Sequence, residues 1–461
     1  MTNTIAAVST PHGKGGVAMI RISGPETRDI LERVFEPAGK TAPSDAPRTA
    51  VFGRILLRGQ AVDTGICTFY KAPASYTGED TAELTCHGGI AVTAKCLEAA
   101  FAAGASSAAP GEFTRRAFVS GKLTLSEAEA VGMLIDADTQ ERAALAASAS
   151  QGKLSEALSR LADRITAPLS QLYAAIDYPD EEIGEISPAQ LCDSFRETAK
   201  EARALAATER RGRAVAEGVR CAVVGRPNGG KSSLYNLLCG EDRAIVTDIA
   251  GTTRDVLTET VSFAGITLLL ADTAGLRESD DSVERIGVER ARREAECAGL
   301  VFFVYDMSDT LTEEERDFAE DFRRRLPDTP TVAILNKTDL PRALSPQDEE
   351  FLSRIHTKLC TLSARTGDGL SSLESCVAEL FDSDIEGSFD SAVVWNSAQR
   401  ASLESAADSL EQAAASLEGG MFPDAACTMA EDALSALLRI DGRGVSEEIV
   451  SSIFARFCVG K

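Results

Sequence analysis

Gly225-Arg226-Pro227-Asn228-Gly229-Gly230-Lys231-Ser232 follows directly on the apolar run Cys221-Ala222-Val223-Val224. An apolar strand, a loop of the form G-x-x-x-x-G-K-[ST] and a helix start together make a phosphate cradle. The glycines let the backbone curl until its amides point at phosphate oxygens. The helix beginning near Lys231, with Ser233 in its first turn, adds the positive end of its dipole. Lys231 then sets an ammonium on the β- and γ-phosphates, and the Ser232 hydroxyl can ligate Mg²⁺.

Three further pieces follow in the order a guanine-nucleotide site requires. Asp272-Thr273-Ala274-Gly275 closes an expected strand over residues 267–271. Its aspartate can hold Mg²⁺ through water, and the Gly275 amide can meet the γ-phosphate. Asn336-Lys337-Thr338-Asp339 closes a second expected strand over residues 331–335. The Asp339 carboxylate can accept from guanine N1 and from the exocyclic amine, a donor pair that adenine lacks, so the motif selects GTP over ATP. Ser363-Ala364-Arg365 suits the loop that closes over the base. Each piece alone could be an ordinary turn; four in order define a GTP site. Hydrolysis also needs an oriented water, and Leu276, just after the Asp-x-x-Gly stretch, cannot orient one. Residues 277–289 supply carboxylates. Glu284 is the candidate, against the alternative of a solvated acidic loop that includes Glu278, Asp280 and Asp281.

Loops of this kind must be carried by alternating strands and helices, and that alternation runs over residues 217–381, a Ras-like α/β P-loop domain. The first ~120 residues read differently. Short apolar strands at residues 17–22, 51–56 and 65–70, with a helical stretch at 92–103, predict an α+β domain. Helical texture begins near Lys122, where Ser126-Glu127-Ala128-Glu129 fits a capping box. Leu154, Leu158, Leu161, Ile165, Leu169, Leu172 and Ile176 then recur at helical spacing. Pro168 is placed to bend that helix and Tyr178-Pro179 to end it. Leu403, Leu410 and Leu417 resume the pattern, and Ser446 can cap a last helix. The expected architecture is multidomain α/β: an N-terminal α+β domain (1–122), an all-α helical domain in two parts (123–216 and 382–461), and the G domain (217–381) inserted between them.

The 461-residue chain carries a net charge of −24, which argues against holding nucleic acid mainly through phosphate neutralisation. Its eleven cysteines show no C-x-x-C spacing, and most read as reduced, small core residues; three histidines are too few and scattered for a histidine-rich metal site. No apolar run approaches membrane-spanning length and no secretory leader opens the sequence, so a cytoplasmic location without membrane attachment is expected.

Several stretches together resemble one family closely. Gly225-Arg226-Pro227-Asn228, the segment Thr247-Asp248-Ile249-Ala250-Gly251-Thr252-Thr253-Arg254-Asp255, Asp272-Thr273-Ala274-Gly275-Leu276-Arg277 and the terminal Cys458-Val459-Gly460-Lys461 are similar to the MnmE (TrmE) family of tRNA-modification GTPases. The likeness extends to the front of the chain through Thr10-Pro11-His12-Gly13-Lys14-Gly15-Gly16-Val17, Tyr76-Thr77-Gly78-Glu79-Asp80 and Pro110-Gly111-Glu112-Phe113. Departures are small: His12 and Gly229 stand where relatives often carry proline and alanine, and Val459 replaces a common isoleucine.

The resemblance implies a GTP hydrolase that works with the flavoprotein MnmG, in a heterotetramer or larger complex, to place a carboxymethylaminomethyl or aminomethyl group at C5 of the wobble uridine of certain tRNAs. It implies a homodimer, contact with tRNA largely through the partner, and an N-terminal domain that binds 5-formyltetrahydrofolate. The matching folate positions are Arg21, Glu83, Lys122 and Lys461. It further implies K⁺-stimulated dimerisation of G domains, with K⁺ on Asn228, Thr247, Ile249 (through its carbonyl) and Thr252. Thr253 matches the second Mg²⁺ ligand beside Ser232, Glu284 the catalytic glutamate, and Arg277 a structural or switching position. Residues 247–253 and 272–275 thus join the GTP-binding set. Cys458 is either a nucleophile toward uridine or a small buried residue near the folate pocket. A competing reading of the whole chain is a GTP-dependent switch or scaffold for RNA or ribosome assembly. The folate-type motifs and the terminal lysine weigh against it.

Overall fold

The computed structural model describes residues 3–177, 188–240, 258–271, 294–382, 389–420, 423–444, 447–455 and 457–460. The chain divides into two compact units, Met1–Gly132 with Leu437–Lys461, and Met133–Ala436.

Alternating apolar segments build a seven-stranded sheet in the first unit. Its strands are β1 (Ile5–Val8), β2 (Val17–Ser23), β3 (Phe35–Pro37), β4 (Val51–Leu57), β5 (Gln60–Tyr70), β6 (Thr81–His87) and β7 (Ser106–Ser107), in the order β3-β4-β5-β6-β2-β1-β7. Neighbours are antiparallel except β1 and β7. The helices are α1 (Thr27–Val34), α2 (Ile90–Ala102), α3 (Glu112–Val119) and α4 (Leu125–Ile135). One face of the sheet is buried in a core shared with α2, where Ile20, Ile22 and Leu84 pack with Cys96, Ala99 and Ala100. The pleat sends alternate residues to the other face, and the register sets Arg21 of β2 directly opposite Glu83 of β6. The start of α4 differs from the expected cap. Thr124, not Ser126, is the capping residue: its hydroxyl accepts from the Glu127 amide at 3.2 Å, and Glu127 accepts from the Thr124 amide at 2.8 Å. Ser126 lies inside the first turn, where its hydroxyl donates to the Ile440 carbonyl instead. Thr-x-x-Glu two residues earlier satisfies the free amides at the helix start, so spacing alone could not choose between the two frames.

The second unit begins with helices α5 (Gln140–Ser150), α6 (Lys153–Asp177), α7 (Pro188–Ala207) and α8 (Glu209–Ala216). Leu154, Leu158, Leu161, Ile165, Leu169 and Leu172 are all buried along α6, which continues through Pro168 to Asp177; Tyr178-Pro179, the expected stop, lies outside the described residues. Then follow β8 (Val219–Val224), α9 (Lys231–Leu238), β9 (Thr258–Phe263), β10 (Ile266–Ala271), β11 (Leu300–Asp306), α10 (Glu313–Arg325), β12 (Thr331–Asn336), α11 (Pro346–Ile355), β13 (Lys358–Thr361), α12 (Leu370–Phe381) and α13 (Ser397–Glu418). The six strands run in the order β13-β12-β11-β8-β10-β9, parallel except for β9 against β10. Burial on both faces explains why β8, β11 and β12 read as almost unbroken apolar runs. The strand order reverses at β8, and loops leaving the carboxyl ends there form the crevice where ligands of doubly wound sheets bind. Helices α7 and α13 pack antiparallel over Phe195, Leu403 and Leu410, with Arg196–Glu418 at 2.6 Å and Arg203–Asp408 at 2.7 Å along the rim. The cap of α5 also meets the sheet: the Thr139 and Thr267 hydroxyls lie 3.3 Å apart, and Ser262 donates to Glu141 at 2.8 Å.

The chain returns through α14 (Pro423–Ile440) and α15 (Glu447–Phe454). Within the first unit Phe454 packs with Phe118, Leu125 and Ala128, Val459 bridges Pro110, and the Gly460 carbonyl accepts from the Ser9 hydroxyl at 2.9 Å. Ser446, the expected cap of the last helix, lies outside the described residues. Among the described residues no helix is long and apolar enough to cross a membrane.

Candidate functional site

The loop after β8 is shaped by two close approaches. Gly225 has φ +149°, and a β-carbon there would lie 2.3 Å from the Val304 carbonyl oxygen of β11. Gly230 has φ +100°, and a β-carbon there would lie 2.0 Å from Nδ2 of Asn336. Neither position can carry a side chain. Between them Asn228 is exposed and takes φ +59°, a left-handed conformation that asparagine tolerates better than most residues. α9 then begins at Lys231, with Ser232 and Ser233 exposed in its first turn. Lys231 folds back over the loop and donates to the carbonyls of Gly225 at 2.8 Å and Arg226 at 2.7 Å. Burial pushes the pKa of its ammonium down. The loop therefore presents a partly desolvated cation at a helix N-terminus, which is the chemistry a phosphate chain requires.

Asn336 joins this loop to the base-recognition elements. Its side chain, only 2% exposed, donates to the Gly229 carbonyl at 2.9 Å and accepts from the Ala364 amide at 2.9 Å. One amide thus ties the ends of β8, β12 and β13 together. Asp339 is held by the Ser363 hydroxyl at 2.8 Å and by Arg365 at 3.2 Å. The Ser363 hydrogen bond, with help from Arg365, keeps its carboxyl below the usual range, so Asp339 is an acceptor at neutral pH. Asn336, Lys337, Thr338, Asp339, Ser363, Ala364 and Arg365 therefore converge with residues 228–233 around one crevice.

Two residues that spacing did not single out complete the electrostatics. Asp306, 8% exposed at the end of β11, bonds Lys337 at 2.6 Å and Arg226 at 3.3 Å. Arg226 also reaches Asp309 at 3.0 Å. Burial would raise the Asp306 pKa, but hydrogen bonds from Lys337 and Ser308 outweigh it and hold the group at about 2. One carboxylate thus ties the phosphate loop to the base loop. The available signal was a single charged residue closing an otherwise apolar strand, Leu300-Val301-Phe302-Phe303-Val304-Tyr305-Asp306.

Thr247, Asp248, Ile249, Ala250, Gly251, Thr252, Thr253, Asp272, Thr273, Ala274, Gly275, Glu284 and Lys461 lie outside the described residues. In the first unit, Arg21 and Glu83 pair with each other at 2.9 Å, both half-buried. Tyr70 donates to Glu83 at 3.3 Å, and the Arg21 guanidinium lies 5.2 Å from the centre of the Tyr76 ring and 5.7 Å from that of Phe113. Such a lined, charged, aromatic wall suits a flat heteroaromatic ring with a polar edge. Lys122 is exposed beside Gly78. Cys458 is exposed too, which overturns the reading of it as a small buried residue. Its backbone is tied down through the Gly111 amide and through the neighbouring bridge of Val459 to Pro110, leaving the thiol at the surface.

Residues 4–122 match the family described as the GTP-binding protein TrmE N-terminus, and residues 125–458 match the MnmE helical domain. Among individual proteins, the chain is 38% identical to the tRNA modification GTPase MnmE of Roseiflexus sp. (strain RS-1), over 100% of this chain and 99% of that one. It is 39% identical to the protein of the same name from Ligilactobacillus salivarius, over 100% and 98%. For that of Thermotoga maritima the identity is 38%, over 100% of both chains.

Proposed function

The chain belongs to the MnmE family, and from that membership we propose that it is a tRNA modification GTPase whose GTP hydrolysis drives a change at C5 of the wobble uridine. The single observation that carries the nucleotide part is the Asn336 amide, which holds the phosphate loop and the base loop in one frame around Lys231 and Asp339. Residues 217–381 act as the G domain in this reading, residues 1–122 as the folate-binding and dimerising domain, and 123–216 with 382–461 as the helical domain.

Lys231 meets the β- and γ-phosphates after releasing its two loop carbonyls, and the α9 amides face the same oxygens. The exposed Ser232 hydroxyl suits a divalent cation, and Ser232 with Thr253 would hold Mg²⁺. The exposed oxygen of Asn228, beside the phosphate loop, suits a monovalent cation, and Asn228, Thr247, Ile249 and Thr252 would hold K⁺. When bound, the two cations supply positive charge to the transferring phosphoryl group. Residues 247–253 and 272–275 serve as the switch segments, and Glu284 orients water. On the N-terminal sheet Glu83 receives the polar edge of a folate, and Arg21, Lys122 and Lys461 are the cations assigned to its glutamate tail; Cys458 stands exposed as the candidate nucleophile. The partners are a second copy of the chain, the flavoprotein MnmG, and tRNA reached largely through that flavoprotein, all in the cytoplasm.

The test is mass spectrometry of wobble nucleosides from cells lacking this protein, complemented with the natural chain or with Glu284→Ala. The natural chain restores the modified uridine. Glu284→Ala does not, and in vitro it binds GTP with turnover lowered by roughly 10²-fold or more. Normal modification in cells without the protein refutes the reading.

A further inference from the structure

Away from the nucleotide loops, the first unit gathers another set of donor atoms. Asp63 on β5, Cys86 near the end of β6 and Cys96 on α2 bring a carboxylate oxygen and two sulfurs within 4.8 Å of one another. The pleat accounts for the thiols: Cys86 follows Ala82 and Leu84 onto the face covered by α2, and Cys96 enters the same core from the helix. Both are buried, at 3% and 0% exposure, while the Asp63 side chain keeps 12%. The carboxylate is already oriented. Oδ1 accepts from the Thr64 amide at 2.8 Å and pairs with His87 Nδ1 at 2.8 Å, and Oδ2 accepts from the His87 amide at 2.8 Å. That leaves Oδ2 with a lone pair to spare.

We propose that Asp63, Cys86 and Cys96 form a binding site for a thiophilic divalent cation of the Zn²⁺ class, with His87 orienting the carboxylate and water as the fourth ligand. Two sulfurs and one carboxylate oxygen are a donor set that selects Zn²⁺ over Mg²⁺ or Ca²⁺. Tetrahedral Zn²⁺ needs its ligand atoms roughly 3.5 to 3.8 Å apart, so the observed cluster closes on an ion with small side-chain movement. Binding releases both thiol protons to solvent, and the ion then neutralises three negative ligands that would otherwise repel in a dry pocket. A disulfide between the two is the competing outcome; it would require an oxidant and would leave Asp63 and its three hydrogen bonds without a role.

The experiment uses the full chain, purified reduced, stripped with chelator, reloaded with Zn²⁺ and desalted. Metal content is read by plasma mass spectrometry, and Co²⁺ substitution by the sulfur-to-cobalt charge-transfer band in the near ultraviolet. One Zn²⁺ per chain and a strong band are expected. Cys86→Ser and Cys96→Ser lose both, whereas Cys67→Ser, which removes a buried β5 thiol outside the group, keeps both. His87→Ala changes an exposed side chain and leaves the fold intact by circular dichroism. It weakens Zn²⁺ binding roughly 10-fold or more through the lost support of Asp63, and so carries the test if the serine variants do not fold. No Zn²⁺ on the reduced natural chain, a band that persists in Cys96→Ser, undiminished affinity in His87→Ala, or a Cys86–Cys96 disulfide in freshly isolated protein would each overturn the proposal.

Discussion

Replacing Asp306 with asparagine removes one charge from the point where Lys337 and Arg226 meet. The carboxyl sits at about 2 against an ordinary 3.8, a difference worth about 2.4 kcal/mol in favour of the charged form. Asparagine can still accept from Ser308, so the loss falls mainly on the Lys337 contact. With the group 8% exposed, screening by water trims this only modestly, and Asp306→Asn should cost about 2 kcal/mol. In a unit of this size that lowers the melting midpoint by roughly 3 °C. Trp395, the only tryptophan and buried in the same unit, reports the transition by its fluorescence. The pH dependence gives a second reading. The folded pKa lies below the unfolded one, so the contribution is complete above about 4 and disappears as pH falls toward 2. The gap between natural chain and variant should therefore stay constant from pH 5 to 8. An unchanged midpoint, or a gap that varies across that range, would refute the claim that this carboxylate ties the two loops.

Other substitutions separate the remaining contacts. Gly230→Ala forces a methyl to within 2.0 Å of the Asn336 amide at φ +100° and should abolish binding of a fluorescent GTP analogue. Gly229→Ala has an ordinary φ and a closest approach of 3.3 Å, to the Arg226 carbonyl, so it should bind within a few-fold of the natural chain. Asp339→Asn turns one acceptor oxygen into a donor and should shift preference from GTP toward xanthosine triphosphate in competition binding; unchanged GTP affinity would count against the base assignment. His356 is buried against Phe303, bonds the Tyr305 hydroxyl at 2.8 Å, and is pushed by burial to a pKa of about 3. Its folded pKa lies below the unfolded value of about 6.5, so stability falls as pH drops below 6.5, by about 1.4 kcal/mol per pH unit from this residue. Urea titrations at pH 6.5 and 5 should show a smaller loss for His356→Gln than for the natural chain.

Local spacing was enough for the elements and for the nucleotide motif. Val219–Val224, Thr331–Asn336 and the α6 leucines declare themselves because burial imposes a period on the sequence. The phosphate loop is legible because glycine is required where the backbone passes too close to a neighbouring segment for a β-carbon, as at Gly225 and Gly230. The family, too, was legible from contiguous stretches. What sequence left open depends on contacts between distant segments. Asp306 became part of the site only when β11 was seated beside β8 and β12. Arg21 met Glu83, and Cys86 met Cys96 and Asp63, only through strand register and the helix laid across the sheet. The choice of Thr124 over Ser126 as cap was likewise decided by which hydroxyl the packed helix left at its first turn. A period can be read along one segment, whereas the neighbour across a sheet is selected by the free energy of burying whole faces, and no single stretch of chain contains that information.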